Sequence, residues 1–330
     1  MKEQVKFTEK KYLVTLIFVT SLFMCWGIAL TMGDVLNKHF QNVLNISKAK
    51  SALVQVSIFG AYAVMGIPAG LFIKKMGYKS GVLLGLCLYA IGAFLFVPAA
   101  NAASFDIFRA ALFVLACGMC TLETVAHPFA AALGDQRTSD QRINFAQTFN
   151  AVGTLIGPFI GTTFLLGAQG QHADELFTVK QLYLYIGGAI ALIALLFVFV
   201  KVPALQDPHA SYETPEQAEQ KGKKKLFQHK NFVWAIVAQF FNVAAQGGTW
   251  AFFINYGAEK MGFSDKEAGY YMIVFMGMML AGRIVGTSLM RFIAPNKLLA
   301  AFALGSILMC LIVAQSWGWV SFVALLMINF

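Results

Sequence analysis

Residues 104–133 read SFDIFRAALFVLACGMCTLETVAHPFAAAL. A helix needs about 20 apolar residues to cross the hydrocarbon core of a bilayer, and this segment is long enough to do so. It nevertheless carries Glu123 and, one helical turn later, His127 and Pro128. A carboxyl group at that depth is costly in lipid, so it is expected to face protein or a water-filled cavity. The segment therefore predicts a transmembrane helix within a larger bundle.

Segments of the same kind recur along the whole chain. Of the 330 residues, 58% are hydrophobic and 12% are charged, which is too few charges to cover a soluble protein of this size. The predicted spans are 12–38, 50–74, 79–99, 104–133, 143–167, 180–202, 232–258, 266–292 and 298–317. A tenth span is expected to begin near Val320 and to be cut off at Phe330. The predicted fold class is an all-α polytopic membrane protein.

The positions of the charges indicate the orientation of these spans. The formal net charge is +9, and most of the 25 Lys and Arg residues fall on one side of the membrane if the N-terminus is cytoplasmic. This asymmetry is the positive-inside pattern. The basic excess is therefore explained by topology, and no nucleic-acid surface is expected.

One long hydrophilic segment interrupts the spans. Residues 203–231 carry acidic residues followed by the Lys221–Lys225 cluster. The segment predicts a division into an N-terminal six-helix bundle at 1–202 and an incomplete C-terminal bundle at 232–330. It is interpreted either as a linker between bundles that move against each other or as a loop that only tethers them.

A loop motif recurs in both halves of the chain. Gly70 precedes Lys75 by five positions before a short basic turn, and Gly286 precedes Arg291 in the same way. Repeated halves are typical of secondary transporters, whose substrate site lies between the halves near mid-membrane. Gly70 and Lys75 are therefore assigned a structural or gating role.

Three ionisable residues lie inside predicted spans, where such groups usually mark a substrate or ion pathway. They are Asp34, Glu123 and Arg283. Glu123 is interpreted either as a proton carrier or as a structural carboxylate, paired with Arg283 or capped by neighbouring hydroxyls. Asp34 lies late in its span, so it either faces a cavity or marks the end of the helix. Arg283 is assigned a structural or gating role.

Amide side chains form two stripes. In the fifth span, the amides recur at intervals of three, at Asn144, Gln147 and Asn150. In the seventh span, they recur at spacings of three and four, at Gln239, Asn242 and Gln246, with Trp250 one turn further on. Amides both donate to and accept from hydroxyl groups, and an aromatic ring suits the apolar face of a pyranose. The stripes predict a sugar site, and hydrogen bonding between helices is the alternative explanation.

Several motifs resemble those of one known family. They are Pro68-Ala-Gly70 with Lys74-Lys75, Leu122-Glu123-Thr124 with Pro128-Phe129, Ala146-Gln147-Thr-Phe-Asn150, Ala245-Gln246 with Trp250, and Gly282-Arg283. From about Ile17 to its last residue, the chain resembles the L-fucose:proton symporter branch of the major facilitator superfamily. The resemblance implies two six-helix bundles, the second truncated so that about nine and a half spans are present.

The resemblance also implies a function. It implies a proton-coupled secondary transporter, not an enzyme, that imports L-fucose or a related hexose or deoxyhexose by alternating access. Asp34 and Glu123 would be the proton-coupling acids, and the proton would serve as coupling ion with no other cofactor. Gln147, Asn150 and Gln246 would line the sugar cavity.

The chain departs from the family pattern near the expected site. His127 stands where the family has Asn before the proline of the fourth span, and Asn255 stands where it has Arg. His127, Asn144 and Trp250 complete the candidate substrate-binding residues. Because of these changes, the sugar is not necessarily fucose.

Two other hypotheses stay open. A sugar uniporter or exchanger on the same scaffold would leave Glu123 structural. An inactive fragment is the other, because the tenth predicted span stops at Phe330 and helix carbonyls would lack partners there. The expected partners are a monosaccharide, a proton and the lipid bilayer, with no metal and no nucleic acid. The expected state is a monomer in the bacterial cytoplasmic (inner) membrane with a cytoplasmic N-terminus.

Overall fold

A computed structural model describes residues 7–135, 138–166, 175–200, 228–289, 293 and 295–330. Within these ranges the chain is almost entirely helical and contains no β-strand. The predicted all-α class is therefore confirmed. The helices are α1 Leu13–Val43, α2 Leu53–Phe94, α3 Phe96–Asn101, α4 Phe105–Ala132, α5 Ser139–Gly161, α6 Glu175–Phe199, α7 Lys230–Met261, α8 Asp265–Leu289, α9 Pro295–Ala314 and α10 Trp319–Ile328.

Three short elements flank the long helices. A 3₁₀ turn at Lys10–Tyr12 leads into α1, and one helical turn at Lys48–Ser51 precedes α2. Thr162–Leu166 continues α5 as a π-helical segment. Such segments widen a helix locally and are rare in regular helices.

The second and third predicted spans both lie within α2. Gly77 separates them, and its φ of 81° lies in the left-handed region that favours glycine. The kink falls in the basic turn that the sequence places between the two spans. The two spans are therefore separate segments joined at Gly77.

Seven stretches of the described residues are long and apolar enough to cross a membrane. One of them, Lys48–Asn101, contains both spans that Gly77 separates. α7 is not among the seven, because its amides and glycines lower its mean hydropathy. Each of the nine predicted spans thus corresponds to a helix, and the chain is a multi-pass membrane protein. α10 begins at Trp319, next to the predicted start of the tenth span.

Glycines bring α2 and α4 into close contact. A Cβ atom on Gly92 would overlap the backbone of Leu115, and one on Gly118 would overlap the backbone of Tyr89. Small residues at such positions let two helix backbones approach, which is the usual way helices associate in a membrane. This contact fixes the position of α4 relative to α2.

α1 and α5 pack in the same way. Gly153 of α5 faces the backbone of Met24, and Gly27 of α1 faces the backbone carbonyl of Asn150. Both helices of the pair therefore contribute glycines. The contact sets the orientation of the amide-bearing face of α5.

Large apolar side chains lie on the outside of the molecule. Ile67 and Phe199 are each 75% exposed, and Leu299 is 71% exposed. Such a surface would be unfavourable in water but matches the apolar interior of a bilayer. It supports the membrane assignment independently of helix length.

We call α1–α6 the first bundle and α7–α10 the second bundle. The bundles touch where α1 meets α7 and where α5 meets α8. Val35 and Leu166 of the first bundle pack in the apolar core of the second. The predicted linker at 203–231 falls mostly outside the described residues, so the domain division stays a prediction.

Candidate functional site

A cavity of about 350 Å³ opens between α2 and α4. Small-ligand sites in proteins have volumes of roughly 300–1,000 Å³, so the cavity falls at the lower end of that range. The residues that line it are Tyr62, Gly66, Cys120, Glu123, Thr124 and His127. Those from α4 recur at spacings that place them on one helix face. That face carries both Glu123 and His127, as the sequence predicts.

Glu123 places its carboxyl group in this cavity. Among the residues that the structure describes, none hydrogen-bonds its Oε2 atom, although that atom is buried. The hydroxyl of Tyr62, which accepts a hydrogen bond from Trp26 Nε1 at 2.8 Å, belongs to a residue that lines the same cavity. None of the ion pairs among the described residues involves Glu123. The carboxyl group can take up a proton there without breaking an ion pair.

His127 connects the cavity to α5. Its Nδ1 atom lies 3.0 Å from the backbone oxygen of Glu123, and its Nε2 atom lies 2.7 Å from Nε2 of Gln147. The imidazole thus contacts its own helix on one side and the predicted amide stripe on the other.

Gln147 connects the first bundle to the second. Its Oε1 atom accepts a hydrogen bond from Nη1 of Arg283 at 3.3 Å. Arg283 lies on α8, so a chain of polar contacts runs from α4 through α5 to α8. In this structure Arg283 contacts the amide and does not form the ion pair with Glu123 that the sequence leaves open.

Aromatic rings of α1 border this polar chain. The ring centroids of Phe23 and His127 are 4.9 Å apart at an interplanar angle of 76°. Those of Trp26 and His127 are 6.3 Å apart at 75°. Both aromatic side chains thus meet the imidazole in an edge-to-face arrangement. Sequence patterns did not single out either residue, since aromatic residues are common in every span.

Asp34 is buried in α1 and is only 4% exposed. Gln55 Nε2 donates to its Oδ1 atom at 2.7 Å, and none of the described residues hydrogen-bonds its Oδ2 atom. The position is thus interior and is not the exposed end of a helix. Asp34 does not line the cavity of Glu123.

The amide stripe of α5 does not form one common surface. Gln147 points to His127, whereas Asn150 is 4% exposed and donates through Nδ2 to the backbone oxygen of Phe23 at 3.2 Å. Asn144 is exposed. The helix twist and the close contact with α1 separate side chains that the spacing of three suggests are equivalent.

The candidates on α7 also lie apart from the cavity. Gln246 is exposed, and Trp250 is 7% exposed within the core of the second bundle. Trp250 Nε1 donates to Oδ1 of Asn329 at 3.1 Å. The ring is therefore engaged within its own bundle in this structure.

Gly70 and Lys75 lie near the turn at Gly77. Gly70 is half-buried, and no atom stands within 4 Å of a Cβ built on it; Lys75 is exposed. Sequence patterns did not single out the polar role of Lys79, which donates through Nζ to the backbone oxygen of Val198 at 2.7 Å. That contact joins the turn to the end of α6.

Arg142 is a further residue that sequence patterns did not identify as important. Its side chain is fully buried, and Nε donates to the backbone oxygen of Ala130 at 3.0 Å. Nη1 donates to Oγ1 of Thr138 at 2.6 Å and to the backbone oxygen of Phe7 at 2.9 Å. Arg142 thereby satisfies carbonyl groups at the end of α4. These acceptors lie in different parts of the chain, so only the tertiary structure brings them together around Arg142.

A second set of polar contacts joins the bundles near the C-terminal end of α1. Nδ2 of Asn255 donates to Oε1 of Gln41 at 2.7 Å. Asp265 accepts a hydrogen bond from Nδ2 of Asn42 at 2.7 Å and pairs with Nζ of Lys38 at 3.3 Å.

Two more contacts extend this set. Asn37 donates through Nδ2 to the backbone oxygen of Ala251 at 2.7 Å, and Lys48 forms an ion pair with Glu259. We call the whole set the latch. The latch consists of Asn37, Lys38, Gln41, Asn42 and Lys48 on the first bundle and Ala251, Asn255, Glu259 and Asp265 on the second.

Two helical bundles that meet around buried polar side chains within a membrane are the architecture of a secondary transporter. The sequence model of the Major Facilitator Superfamily matches residues 14–330. The chain belongs to the major facilitator superfamily, whose members are transporters and not enzymes.

Relatives narrow the position within the superfamily. The L-fucose-proton symporter of Haemophilus influenzae is 33% identical over an alignment 338 positions long. The alignment covers 95% of this chain and 78% of that protein. The glucose/galactose transporter of Brucella abortus is 31% identical over 326 residues, which cover 98% of this chain and 78% of that protein.

A solved structure supports the same placement. The crystal structure of the E. coli fucose:proton symporter FucP has a TM-score of 0.71 and 32% identity, and the match covers 97% of this chain and 81% of that chain. The predicted membership in the fucose symporter branch and the predicted superfamily fold are therefore confirmed.

Proposed function

We propose that the protein is a proton-coupled symporter that imports a monosaccharide by alternating access between its two bundles. Relatives whose names record L-fucose-proton symport and glucose/galactose transport support this proposal. The site supports it as well, since Glu123 lines the cavity and one amide, that of Gln147, contacts His127 of the same lining inside a membrane protein. Rocking of one bundle against the other is the usual mechanism of this architecture.

The proposal rests mainly on one carboxylate oxygen of Glu123, its Oε2 atom. In the described part of the chain, Oε2 is buried without a hydrogen-bond partner, and no described cation forms an ion pair with the carboxyl group. A charged carboxylate in such a place is costly. A proton on Glu123 removes that cost and lets the cavity close around a neutral sugar. Release of the proton on the other side then favours reopening.

Asp34 is the second proposed proton-coupling residue. It also holds one buried carboxylate oxygen without a partner among the described residues. Gln55 hydrogen-bonds the other oxygen and orients the group. Since Asp34 and Glu123 stand on different helices, they can respond to different stages of the movement.

We assign the sugar contacts to the candidate amides and to Trp250. Gln147 already reaches the cavity through His127. Asn150 and Trp250 hold hydrogen bonds within the protein, so they become available to a sugar only after a rearrangement. Asn144 and Gln246 are exposed in this structure, so they can meet a sugar without giving up an internal contact. We assign gating roles to Arg283, Gly70 and Lys75.

We place the protein in the bacterial cytoplasmic membrane as a monomer with a cytoplasmic N-terminus. The positive-inside distribution of Lys and Arg supports this orientation. With this orientation, the latch lies on the outer side of the membrane. The described contacts of the latch then correspond to a conformation whose outer side is closed.

The proposed substrates are L-fucose and related hexoses. His127 and Asn255 differ from the residues of the family pattern. His127 borders the cavity and Asn255 belongs to the latch, so we expect a sugar preference that differs from that of the fucose symporters.

The test is transport by the purified full chain in proteoliposomes. An acidic exterior should drive accumulation of labelled L-fucose, D-galactose or D-glucose in the wild type. Glu123→Gln should abolish accumulation, since the amide cannot carry the proton, while counterflow exchange of the same sugar continues. Glu9→Gln makes the same chemical change at an exposed site and should leave accumulation unaltered.

Proton-driven accumulation that persists in Glu123→Gln would exclude Glu123 as the carrier. Uptake that is independent of pH in the wild type would show a uniporter or an exchanger. Absence of any sugar flux in both assays would reject the proposed function itself.

A further inference from the structure

We propose that His127 is a positioning residue that holds the carbonyl oxygen of Gln147 toward the second bundle, where a sugar hydroxyl takes the place of Arg283. Only the last part, the sugar contact, rests on the proposed function. The orientation of the amide follows from hydrogen-bond chemistry within the chain.

The tautomer of His127 follows from its contact with the backbone. Nδ1 lies 3.0 Å from the backbone oxygen of Glu123, and a carbonyl oxygen can only accept. Nδ1 must therefore carry the hydrogen. In the neutral imidazole, Nε2 is then an acceptor with a free lone pair.

The orientation of Gln147 follows from two independent contacts. Its NH₂ group must face the Nε2 acceptor of His127, which lies 2.7 Å away. Its carbonyl oxygen must face Arg283, since a guanidinium group can only donate. Both ends of the amide therefore require the same orientation. Gln147 thus presents an acceptor to the second bundle.

Packing keeps the imidazole in place. The rings of Phe23 and Trp26 stand almost perpendicular to it, at 76° and 75°. Rotation of the imidazole would bring it against these rings and would break the backbone contact with Glu123. The acceptor at Nε2 is thus held in a fixed direction, and it determines the orientation of the amide.

The site selects a particular kind of ligand atom. When the bundles separate, Arg283 withdraws, and Oε1 of Gln147 becomes free to accept from another donor. A sugar hydroxyl is a neutral donor that fits this requirement. We therefore expect preference for sugars with a hydroxyl at the contacted carbon over deoxy analogues that lack it.

Protonation of His127 would reverse this arrangement. Both ring nitrogens would then donate, so Gln147 would have to turn its oxygen toward the ring and its NH₂ group toward Arg283. Two donors would face each other, and the contact between the bundles would be lost.

Four ionisable side chains surround His127: Cys120 and Glu123 on α4, Tyr62 on α2 and Arg283 on α8. The facing residues of α1, Phe23 and Trp26, are uncharged.

The orientation can be tested without any transport. Nitrogen NMR of the full chain, labelled at its histidine rings and embedded in lipid nanodiscs, distinguishes the two neutral tautomers. The chain has five histidines, and subtraction of the His127→Asn spectrum identifies the signal of His127. At mildly alkaline pH we expect a protonated Nδ1 and a bare Nε2, with the Nε2 signal displaced in Gln147→Ala. The opposite tautomer, or no displacement, would overturn the proposal.

The sugar contact is tested by counterflow of labelled L-fucose and D-galactose. An asparagine at position 127 ends in an amide that offers both a donor and an acceptor, so it imposes no orientation on Gln147. His127→Asn should raise the KM of the transported sugar about tenfold with little change in the maximal rate. In a Gln147→Ala background, the same change should have no further effect.

His229→Asn is the matched control, because His229 is exposed at the start of α7. Its KM should equal that of the wild type. Additive effects of His127→Asn and Gln147→Ala would show that His127 does not act through the amide, and would reject the positioning role. If no sugar is exchanged at all, the proposed function fails, whereas the NMR result still decides the orientation.

Discussion

Contacts within the first bundle differ in kind from contacts between the bundles. Within it, α2 and α4 meet backbone to backbone at Gly92 and Gly118, and α1 and α5 do so at Gly27 and Gly153. The polar contacts between the bundles are instead made through side chains, which meet a partner side chain or, for Asn37, the backbone oxygen of Ala251. An apolar contact through Val35 and Leu166 accompanies them.

The difference indicates which parts of the molecule move. Close backbone packing leaves no room for sliding, because any shift produces steric overlap. Side-chain hydrogen bonds can break and form again with new partners or with water. The first bundle is therefore expected to move as a rigid unit, while the contacts between the bundles exchange during transport.

Substitution within the first bundle should have the largest effect. Gly118→Val would place a branched side chain against the backbone of Tyr89. Overpacking of this kind costs about 1–3 kcal/mol, occasionally more. We expect a lower melting temperature of the detergent-purified protein and loss of the monodisperse peak in size-exclusion chromatography.

Gly188→Val is the control for that substitution, because no atom lies within 4 Å of a Cβ atom built on Gly188. It should keep the melting temperature of the wild type. Equal stability of the two variants would show that the contact between α2 and α4 is no tighter than the surface of α6.

Weakening the buried part of the latch should have an intermediate effect. Asp265→Asn removes the ion pair between Asp265 and Lys38. The side chain of Asp265 is 18% exposed and that of Lys38 is 13% exposed. A loss of about 1 kcal/mol corresponds to a roughly fivefold shift toward the open latch. A cysteine at Ala251, which is 3% exposed, should react about fivefold faster with a thiol reagent once the native cysteines are replaced.

Asp106→Asn provides the matched comparison, since Asp106 pairs with Arg109 on its own helix. It should leave the labelling rate of the cysteine at position 251 unchanged. A rate unaffected by Asp265→Asn would mean that the latch does not hold the bundles together.

The exposed part of the latch should contribute least. Lys48 and Glu259 are 52% and 46% exposed at their side chains. Such surface pairs contribute about 0–1 kcal/mol and are screened by salt. Lys48→Gln should therefore change the labelling rate less than about twofold, and the difference should vanish at high salt. A larger effect than that of Asp265→Asn would reverse the ranking of the two contacts.

Local patterns were sufficient to predict the class of the protein and the position of Glu123 within a membrane span. Length and hydropathy predict the spans other than α7, because every backbone group within a bilayer must be satisfied inside its own helix. The spacing of Glu123 and His127 predicts their common face, because both residues belong to one helix. The kink at Gly77 also lies in the turn that the basic residues indicate.

The same patterns were insufficient for the amides. A spacing of three places Asn144, Gln147 and Asn150 near one another, but only Gln147 reaches His127. Asn150 instead donates to the backbone of α1, because glycines bring α1 and α5 close together. The rotation of α5 within the bundle decides this difference, and no residue of α5 alone records it.

The sequence alone determined that the chain crosses a membrane many times, which way it is expected to face and which acid lies within the spans. These properties depend on single helices and on the solvent around them. The tertiary structure alone decided that Arg283 meets Gln147, that His127 contacts the same amide and that Asp265 joins two bundles. These contacts link residues far apart in the chain, so they depend on how whole helices are rotated and packed against one another.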